Sequence, residues 1–527
     1  MKEILQTPSS GTLPATPKMR SPIHSIQRRL SEIDPVTLLI VAFAISLRLL
    51  LLGIKPPHYD EGVNGWFIDE MKQHGFYHYD PTNYHGPLHF YVIFIFERLF
   101  GRHVWAMRLP IVLVSGLTVF LVTMFERFWG RRRCQLAALA MAVSPGAVFY
   151  ARYGIHEAWL ALFLVLTLFG LAGLRQFGTR QYLWAAGMGV TGMILTKETY
   201  AIHLACFALA GICFWIYEKI SPSLEASRPS RAWTGVDLAK VIGMGVLLIV
   251  FFYSGTFLDF SSLSGLVTTF ELWIHTGTDG AGHDKPLWYW LMLMLRYEWP
   301  VLIGFAFSVR YLWPRCDGLM RYTLIYGVGT LAAYSIVPYK TPWCIVSLIW
   351  PFFFVFADAA SELPRKLPRA VVAAAVAAIL TASLAQSVRL NFFHYTDEKE
   401  PYVYVQTYDD VFKLVNPLYA LAAQDPVNYH MDGSIIMESY HPLPWMLGDF
   451  TDIGYHGKNL PKNPDSDFLV VDDSLKEAVE KKLKRSYFKE SFRLRDAQDA
   501  ATIYFNADTF SGIFPDREPD FRGETPP

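Results

Sequence analysis

Apolar residues gather in this chain into long runs divided by short polar turns, up to about residue 388. A helix crossing the hydrocarbon core needs roughly 20 apolar residues. Runs near that length predict about eleven transmembrane helices: Val36–Ile54, Val104–Phe125, Cys134–Tyr150, Ala158–Leu174, Tyr182–Leu195, Tyr200–Tyr217, Val241–Phe257, a segment within Leu287–Trp313, Tyr322–Val337, Pro342–Phe356 and Ala370–Val388. Arg296, Glu298 and Pro300 interrupt the eighth, so an interfacial helix followed by a span fits there as well.

Basic residues set the expected orientation. With the N-terminus in the cytoplasm, the inward loops hold Arg127 with Arg131–Arg133, Arg175 with Arg180, Lys219 with Arg228 and Arg231, Arg315 with Arg321, and Arg365 with Lys366 and Arg369. The short outward turns hold single cations, Arg152, Lys197 and Lys340. The first outward loop, residues 55–103, carries both signs, and a long loop translocates largely regardless of charge.

Beyond Val388 the pattern changes. Gly433–Glu438, Asp467–Val471, Tyr487–Leu494 and Ala500–Phe505 read as strands, and Ser474–Leu483 as an amphipathic helix. The expected division is a disordered cytoplasmic tail over 1–34, a transmembrane domain over 35–390, and an extracytoplasmic α/β domain over 392–527 that folds separately, caps the membrane part and carries no catalytic residue. The tail is rich in Ser, Pro, Thr and basic residues and cannot bury a core. No small-residue cleavage site follows the first run, so that run reads as a retained anchor.

Composition supports a membrane protein and removes other classes. The chain is 52% hydrophobic and 18% charged, against about 25% charged in ordinary globular chains. Net charge is zero, so no basic field points to nucleic acid. The cysteines Cys134, Cys206, Cys213, Cys316 and Cys344 show no C-x-x-C spacing and read as buried thiols.

Candidate chemistry collects on the outward side. Asp60 and Glu61 follow the first run by a few residues. Adjacent carboxylates in an aromatic setting raise at least one pKa, which suits a general base, though composition alone favours a solvated or helix-capping pair. The outward turns add Arg152, His156 and Glu157, then Lys197 and Glu198, then His283, Asp284 and Lys285, then Lys340. Arg48 and Arg108 lie near the outer ends of the first two runs. Snorkelling accounts for each one alone; together they suggest a wet, charged cavity suited to a lipid phosphate.

The order of these motifs resembles the GT-C class of integral-membrane glycosyltransferases, in particular the protein O-mannosyltransferase and aminoarabinose-transferase superfamily. The resemblance rests on Asp60-Glu61, His85-Gly86-Pro87-Leu88, Ala106 to Pro110, Ala151-Arg152 with Glu157, Leu195-Thr196-Lys197, and His283 to Trp288. Lys197-Glu198-Thr199 and Tyr84–Leu88 are similar to a poorly characterised prokaryotic branch named for flippase activity in archaeal protein glycosylation. The chain departs from the pattern at Tyr84 and His85, where an acid and a lysine are expected, and at Glu157, where an Asp is expected.

The resemblance implies a GT-C-like helical fold and an inverting transfer of a sugar from a polyprenyl-phosphate donor to a hydroxyl of a lipid, glycan or protein. It implies Asp60 as base, Glu61 as its tuner, and Arg108, Arg152, Lys197 and His85 as donor-phosphate ligands. Glu157 and His283, with His85, are the candidate ligands of a divalent metal ion. The alternatives are a flippase or transporter of lipid-linked sugars without transferase activity, and a non-catalytic assembly protein.

Overall fold

The computed structural model describes residues 34–223, 231–279, 282–363, 367–495 and 500–523. Residues 1–33 of the tail expected over 1–34, and the inward-loop residues Arg228, Arg365 and Lys366, fall outside them. Each of the eleven expected runs falls on helix. Six of these helices are long and apolar enough to cross a membrane, or seven with the bent pair Tyr289–Tyr297 and Trp299–Leu312, which turns by 118°. The difference from eleven has local causes. The first helix, Pro35–Leu49, and the fifth, Arg180–Ile194, have 15 residues each. The third breaks at Ser144, whose hydroxyl caps a new helix starting at Pro145. The eighth bends where Glu298 and Pro300 were seen to interrupt it.

The helices sort into inner and outer positions. Pro342–Glu362 is 83% buried along its apolar window, while Gly235–Tyr253 and Arg369–Phe392 are 17% buried. The last two therefore present apolar faces outward, as expected where lipid is the solvent. Glu157–Phe177 and Arg180–Ile194 form a hairpin closed by small residues. A Cβ on Gly170 would stand 2.2 Å from Ala186 N, and one on Gly192 2.2 Å from the Phe163 ring. Close approach of this kind is how helices pack without a hydrophobic driving force. The hairpin fixes the turn that carries Lys197 and Glu198.

The C-terminal part is a five-stranded sheet in the order β2-β1-β3-β5-β4. Its strands are β1 Gly433–Ile436, β2 Ile453–Tyr455, β3 Phe468–Asp472, β4 Tyr487–Phe492 and β5 Ala501–Asn506. β1 runs parallel to β2 and β3; β5 runs antiparallel to β3 and β4. Every residue of β3 and β5 is buried, as continuous apolar strands covered on both faces should be.

One face of the sheet does not close on itself. Ile435, Phe468, Val470 and Ile503 share a core with the Val411–Gln424 helix and with Phe67, Ile68, Met71, Phe90 and Ile93 of the first outer loop. Gly62 and Gly65 let the loop helix Tyr59–His74 press directly on Pro442 and Trp445. Arg102 ties the two parts further, donating to Asp69 at 2.8 Å, Asp449 at 3.0 Å and the Trp445 carbonyl at 2.9 Å. The C-terminal sheet is thus continuous with the outer loop in one core. The expected separately folding cap did not anticipate this, because glycine spacing on an amphipathic loop helix does not announce its partner.

Candidate functional site

Asp60 stands on the first turn of Tyr59–His74. The His58 ring caps that helix: its Nδ1 accepts from Asp60 N at 3.1 Å, and its Nε2–H donates to Tyr404 O at 2.8 Å. Glu61 completes a capping box by accepting from His58 N at 2.8 Å. The two adjacent carboxyl groups then diverge. The Asp60 side chain is 37% exposed and lines a cavity of about 970 Å³. The Glu61 side chain is fully enclosed and faces Arg108.

That enclosed pair revises three expected roles. Arg108 forks onto both Glu61 oxygens, and its remaining N–H groups go to the carbonyls of Leu52, Lys55 and Pro56 at 3.0 Å each. Gly154 N also donates to Glu61, at 2.6 Å. Burial pushes the Glu61 carboxyl up, but Arg108 and these backbone donors more than offset it, so its pKa lies below the usual value. Arg152 is equally enclosed and donates to the carbonyls of Arg48, Leu50 and Leu51. Neither Arg108 nor Arg152 lines the cavity. Arg152 takes one carbonyl of the last turn of the Pro35–Leu49 helix, a need that every helix C-terminus has, and both side chains hold carbonyls of the chain that follows it.

Lys55 sits among these cations, and its Nζ has no hydrogen-bond partner among the described residues. The nitrogen lies 3.4 Å from the Tyr153 ring centroid and 4.0 Å from that of Phe149. Burial, with Arg108 and Arg152 nearby, pushes its pKa far below the usual range.

The other expected residues meet at the cavity. Gly86 N donates to Thr196 O at 3.1 Å and Leu88 N to Leu195 O at 3.1 Å, so the His85–Leu88 stretch docks on the Leu195–Lys197 turn. A Cβ on Gly86 would stand 2.3 Å from the Leu195 carbonyl, so only glycine permits that approach. His85 Nδ1–H consequently reaches Glu198 at 2.8 Å. Lys197 is in direct contact with Glu157. Burial disfavours the Lys197 ammonium, but Glu157 more than compensates and holds its pKa well above the usual value. Burial likewise opposes ionised Glu198, and His85 outweighs it, so that carboxyl titrates below its usual value. His156 packs between His85 and His89, with ring centroids 4.4 and 4.0 Å away. Burial drives His89 down to about 3 and His156 well below its ordinary value.

His283 reaches the same cavity from another turn, held by a single bridge between Asp284 and Tyr339. Its Nδ1 is 2.6 Å from the Tyr404 hydroxyl. Asp60, His85, Glu157, Lys197 and His283 therefore line one cavity. Glu157, His283 and His85 do not present a converging donor set for a metal ion. Each spends a donor atom elsewhere, and the group of acid and histidine side chains close enough to hold one among the described residues is His394, Asp397 and Glu400.

Sequence reasoning missed the contribution of the last third of the chain. Val405, Ser439 and Arg495 line the cavity. Arg495 lies three residues past β4, and no local pattern marks it, since only folding of the sheet onto the loop helix brings it beside Tyr59. The remaining lining includes polar residues and the apolar Ile202, Trp273, Ile274, Ile336 and Val337.

The sequence profile of the family described as dolichyl-phosphate-mannose-protein mannosyltransferase matches residues 84–251. No curated protein matches the chain. Among solved structures, ArnT from Cupriavidus metallidurans bound to undecaprenyl phosphate superposes with a TM-score of 0.61 at 18% identity, covering 90% of this chain and 98% of that one. The apo state of the same protein gives 0.59 at 17% identity with the same coverage. The fold is thus the GT-C-like one, an integral-membrane helical body with a small C-terminal sheet.

Proposed function

We propose that this chain is a membrane glycosyltransferase that moves a sugar from a polyprenyl-phosphate donor to an acceptor hydroxyl, with Asp60 as general base. One observation carries the proposal: of two adjacent carboxylates, one is sealed in an ion pair and the other opens into a cavity lined by both polar and apolar residues. The apolar residues suit the first isoprene units of a lipid carrier and the polar ones its phosphate and sugar. The likeness to ArnT bound to undecaprenyl phosphate supports the same donor chemistry here.

In this reading the acceptor hydroxyl lies between Asp60 and the anomeric carbon. Asp60 takes the hydroxyl proton as the acceptor oxygen attacks. The bond from the anomeric carbon to the phosphate oxygen breaks, and the phosphate leaves with the electron pair. A single displacement inverts the anomeric centre. A phosphate leaving group calls for electrostatic stabilisation rather than a proton. Glu61 has a different part from the one expected of it: through Arg108, His58 N and Gly154 N it fixes the turn that presents Asp60. The outward orientation of the cavity and the placement in the flippase-associated branch belong to the same proposal, resting on the basic loops and on the Lys197-Glu198-Thr199 and Tyr84–Leu88 motifs.

The test is transfer in proteoliposomes carrying the full chain, a panel of polyprenyl-phosphate sugars and hydroxyl acceptors, with Asp60→Asn as control. Transfer by the wild type that is abolished in Asp60→Asn is the expected result. Translocation of the lipid without transfer would replace this function by transport.

A further inference from the structure

The cavity has a charge balance that the expected residues leave unresolved. Three carboxylates line it, Asp60, Glu157 and Glu198, against two permanently cationic side chains, Lys197 and Arg495. Lys197 is committed to Glu157 and His85 to Glu198. Arg108 and Arg152 do not line it; every nitrogen of Arg108 is engaged, and Arg152 gives both terminal nitrogens to main-chain carbonyls. A phosphate entering this cavity would meet excess negative charge unless another cation received it.

Arg495 is in a different state. It is 4% exposed, and no carboxylate among the described residues lies within ion-pair distance of it. It is gripped from one side: Nη1 donates to the His441 carbonyl, and Nη2 to the Ser439 carbonyl at 3.2 Å and to the Ser439 hydroxyl. Its guanidinium carbon sits 5.0 Å from the ring centroid of Tyr59, the residue before Asp60. Its Nε–H takes no partner among the described residues, and the side chain lines the cavity. A buried cation that neutral acceptors orient, and that the Asp60 carboxylate favours only from beyond ion-pair distance, is costly to keep. An oxyanion bound in the cavity would complete it, and a guanidinium fork matches phosphate geometry.

We infer that Arg495 is the phosphate anchor of this cavity, supplied by the C-terminal sheet, and that the oxyanion it takes is the phosphate of the lipid-linked donor. The inference rests on the donor class proposed above and adds the residue that holds it. It also gives the sheet a binding role in place of the passive cap expected of it. His85, standing where the resembled family has a lysine, is occupied by Glu198, and Arg495 supplies the charge from another part of the chain.

The test uses the full chain in nanodiscs titrated with undecaprenyl phosphate, read by quenching of the cavity tryptophans Trp273, Trp290 and Trp343. Arg495→Gln and Arg495→Lys are compared, because both lose the guanidinium fork and only one loses the charge. Loss of a charge-assisted contact predicts about 10–100-fold weaker binding for Arg495→Gln. Arg495→Lys should recover a substantial part of it. Equal binding by the wild type and both variants would overturn the assignment. Equal weakening in both, with a matching drop in unfolding temperature, would reduce Arg495 to a structural clasp and overturn it too. Quenching by inorganic phosphate alone, as tight as by the lipid, would make this a free-phosphate site and remove the lipid donor as its ligand. A wild type that does not bind the lipid at all would sink the donor class itself, which the wild-type arm reads independently of the variants.

Discussion

Arg108 forks onto both oxygens of Glu61, at 2.7 and 2.6 Å, with both side chains fully enclosed. The pair lies one residue along the helix from the carboxylate that opens into the cavity. This separates two jobs that the sequence joins in a single Asp-Glu doublet: Glu61 builds the turn and Asp60 faces substrate.

The first prediction follows from that separation. Asp60→Asn keeps shape and loses basicity, so transfer should fall by about 10²–10⁴-fold. The folded state should hardly notice, because Asp60 is partly exposed and lacks a strong partner. Turnover together with the unfolding temperature in detergent checks this. Near-normal turnover would pass the role of base to another cavity carboxylate.

Glu61→Gln should behave in the opposite way. It leaves Arg108 as an unpaired buried cation, and breaking such a pair costs about 3–5 kcal/mol of stability. Turnover then falls because the turn under Asp60 shifts. Glu61→Gln combined with Arg108→Met should lose less stability than the two single changes added together. A double-mutant cycle on denaturation free energies measures this, and strict additivity would deny the coupling.

The pairing of His85 with Glu198 predicts an acid limb in stability. The folded Glu198 carboxyl titrates below its usual value of 4.5, because His85 outweighs the opposing effect of burial. A depressed carboxyl contributes stability that is complete above its unfolded pKa and is lost as pH falls through the folded one. The sensitive window is therefore below about pH 4.5. Glu198→Gln should flatten the decline of unfolding temperature there and leave neutral pH with only the constant loss of the contact. An unchanged acid limb would mean that Glu198 is not held by this pairing.

The shared core of loop and sheet predicts where small residues are required. A Cβ on Gly65 would stand 2.2 Å from the Trp445 ring, and Trp445 is buried. Overpacking of this kind costs about 1–3 kcal/mol, and here it would push the sheet away from the helix that bears Asp60. Gly65→Ala should increase protease cleavage between residues 392 and 527 and lower activity. Gly53→Ala, with nothing within 4 Å of its Cβ, is the matched control and should do neither.

Orientation gives the fifth expectation. The basic loops place the N-terminus inside and the C-terminus outside. A tag after Pro527 should react with impermeant label in intact cells or spheroplasts. Labelling only after lysis would invert the topology and put the cavity on the cytoplasmic side.

The helical body was legible in the chain because lipid-length apolar runs leave a strong mark. The strands were legible too: Tyr487–Leu494 and Ala500–Phe505 fall within two residues of β4 and β5. The Val411–Gln424 helix and β2 were passed over; the first carries Pro417 in its interior and the second is three residues long. Of the residues on the outward turns, His156, Glu157, Lys197, Glu198 and His283 line one cavity, while Asp284, Lys285 and Lys340 do not. Nor do Arg108 and Arg152, since a sequence tells which side of a membrane a cation occupies and not whether it turns toward solvent or toward main-chain oxygens. Arg495 was invisible for another reason: its meaning depends on contact between segments more than 400 residues apart, Tyr59 and the strand that precedes it.

Arg48 and Arg108 come from two helices and Arg152 from the turn after a third, and they converge on main-chain oxygens between Ala44 and Pro56, with a further two at Met141 and Ala142. Every residue type offers such an oxygen, so the grip itself is indifferent to the side chains it grips. Substitution at the exposed residues Leu50 and Leu51 should be forgiven as long as the chain keeps its path, whereas each guanidinium is irreplaceable, even by lysine. Tolerance and intolerance in this corner should therefore run opposite to sequence neighbourhood: drift on the strand of chain that is held, and constancy in three distant positions that hold it.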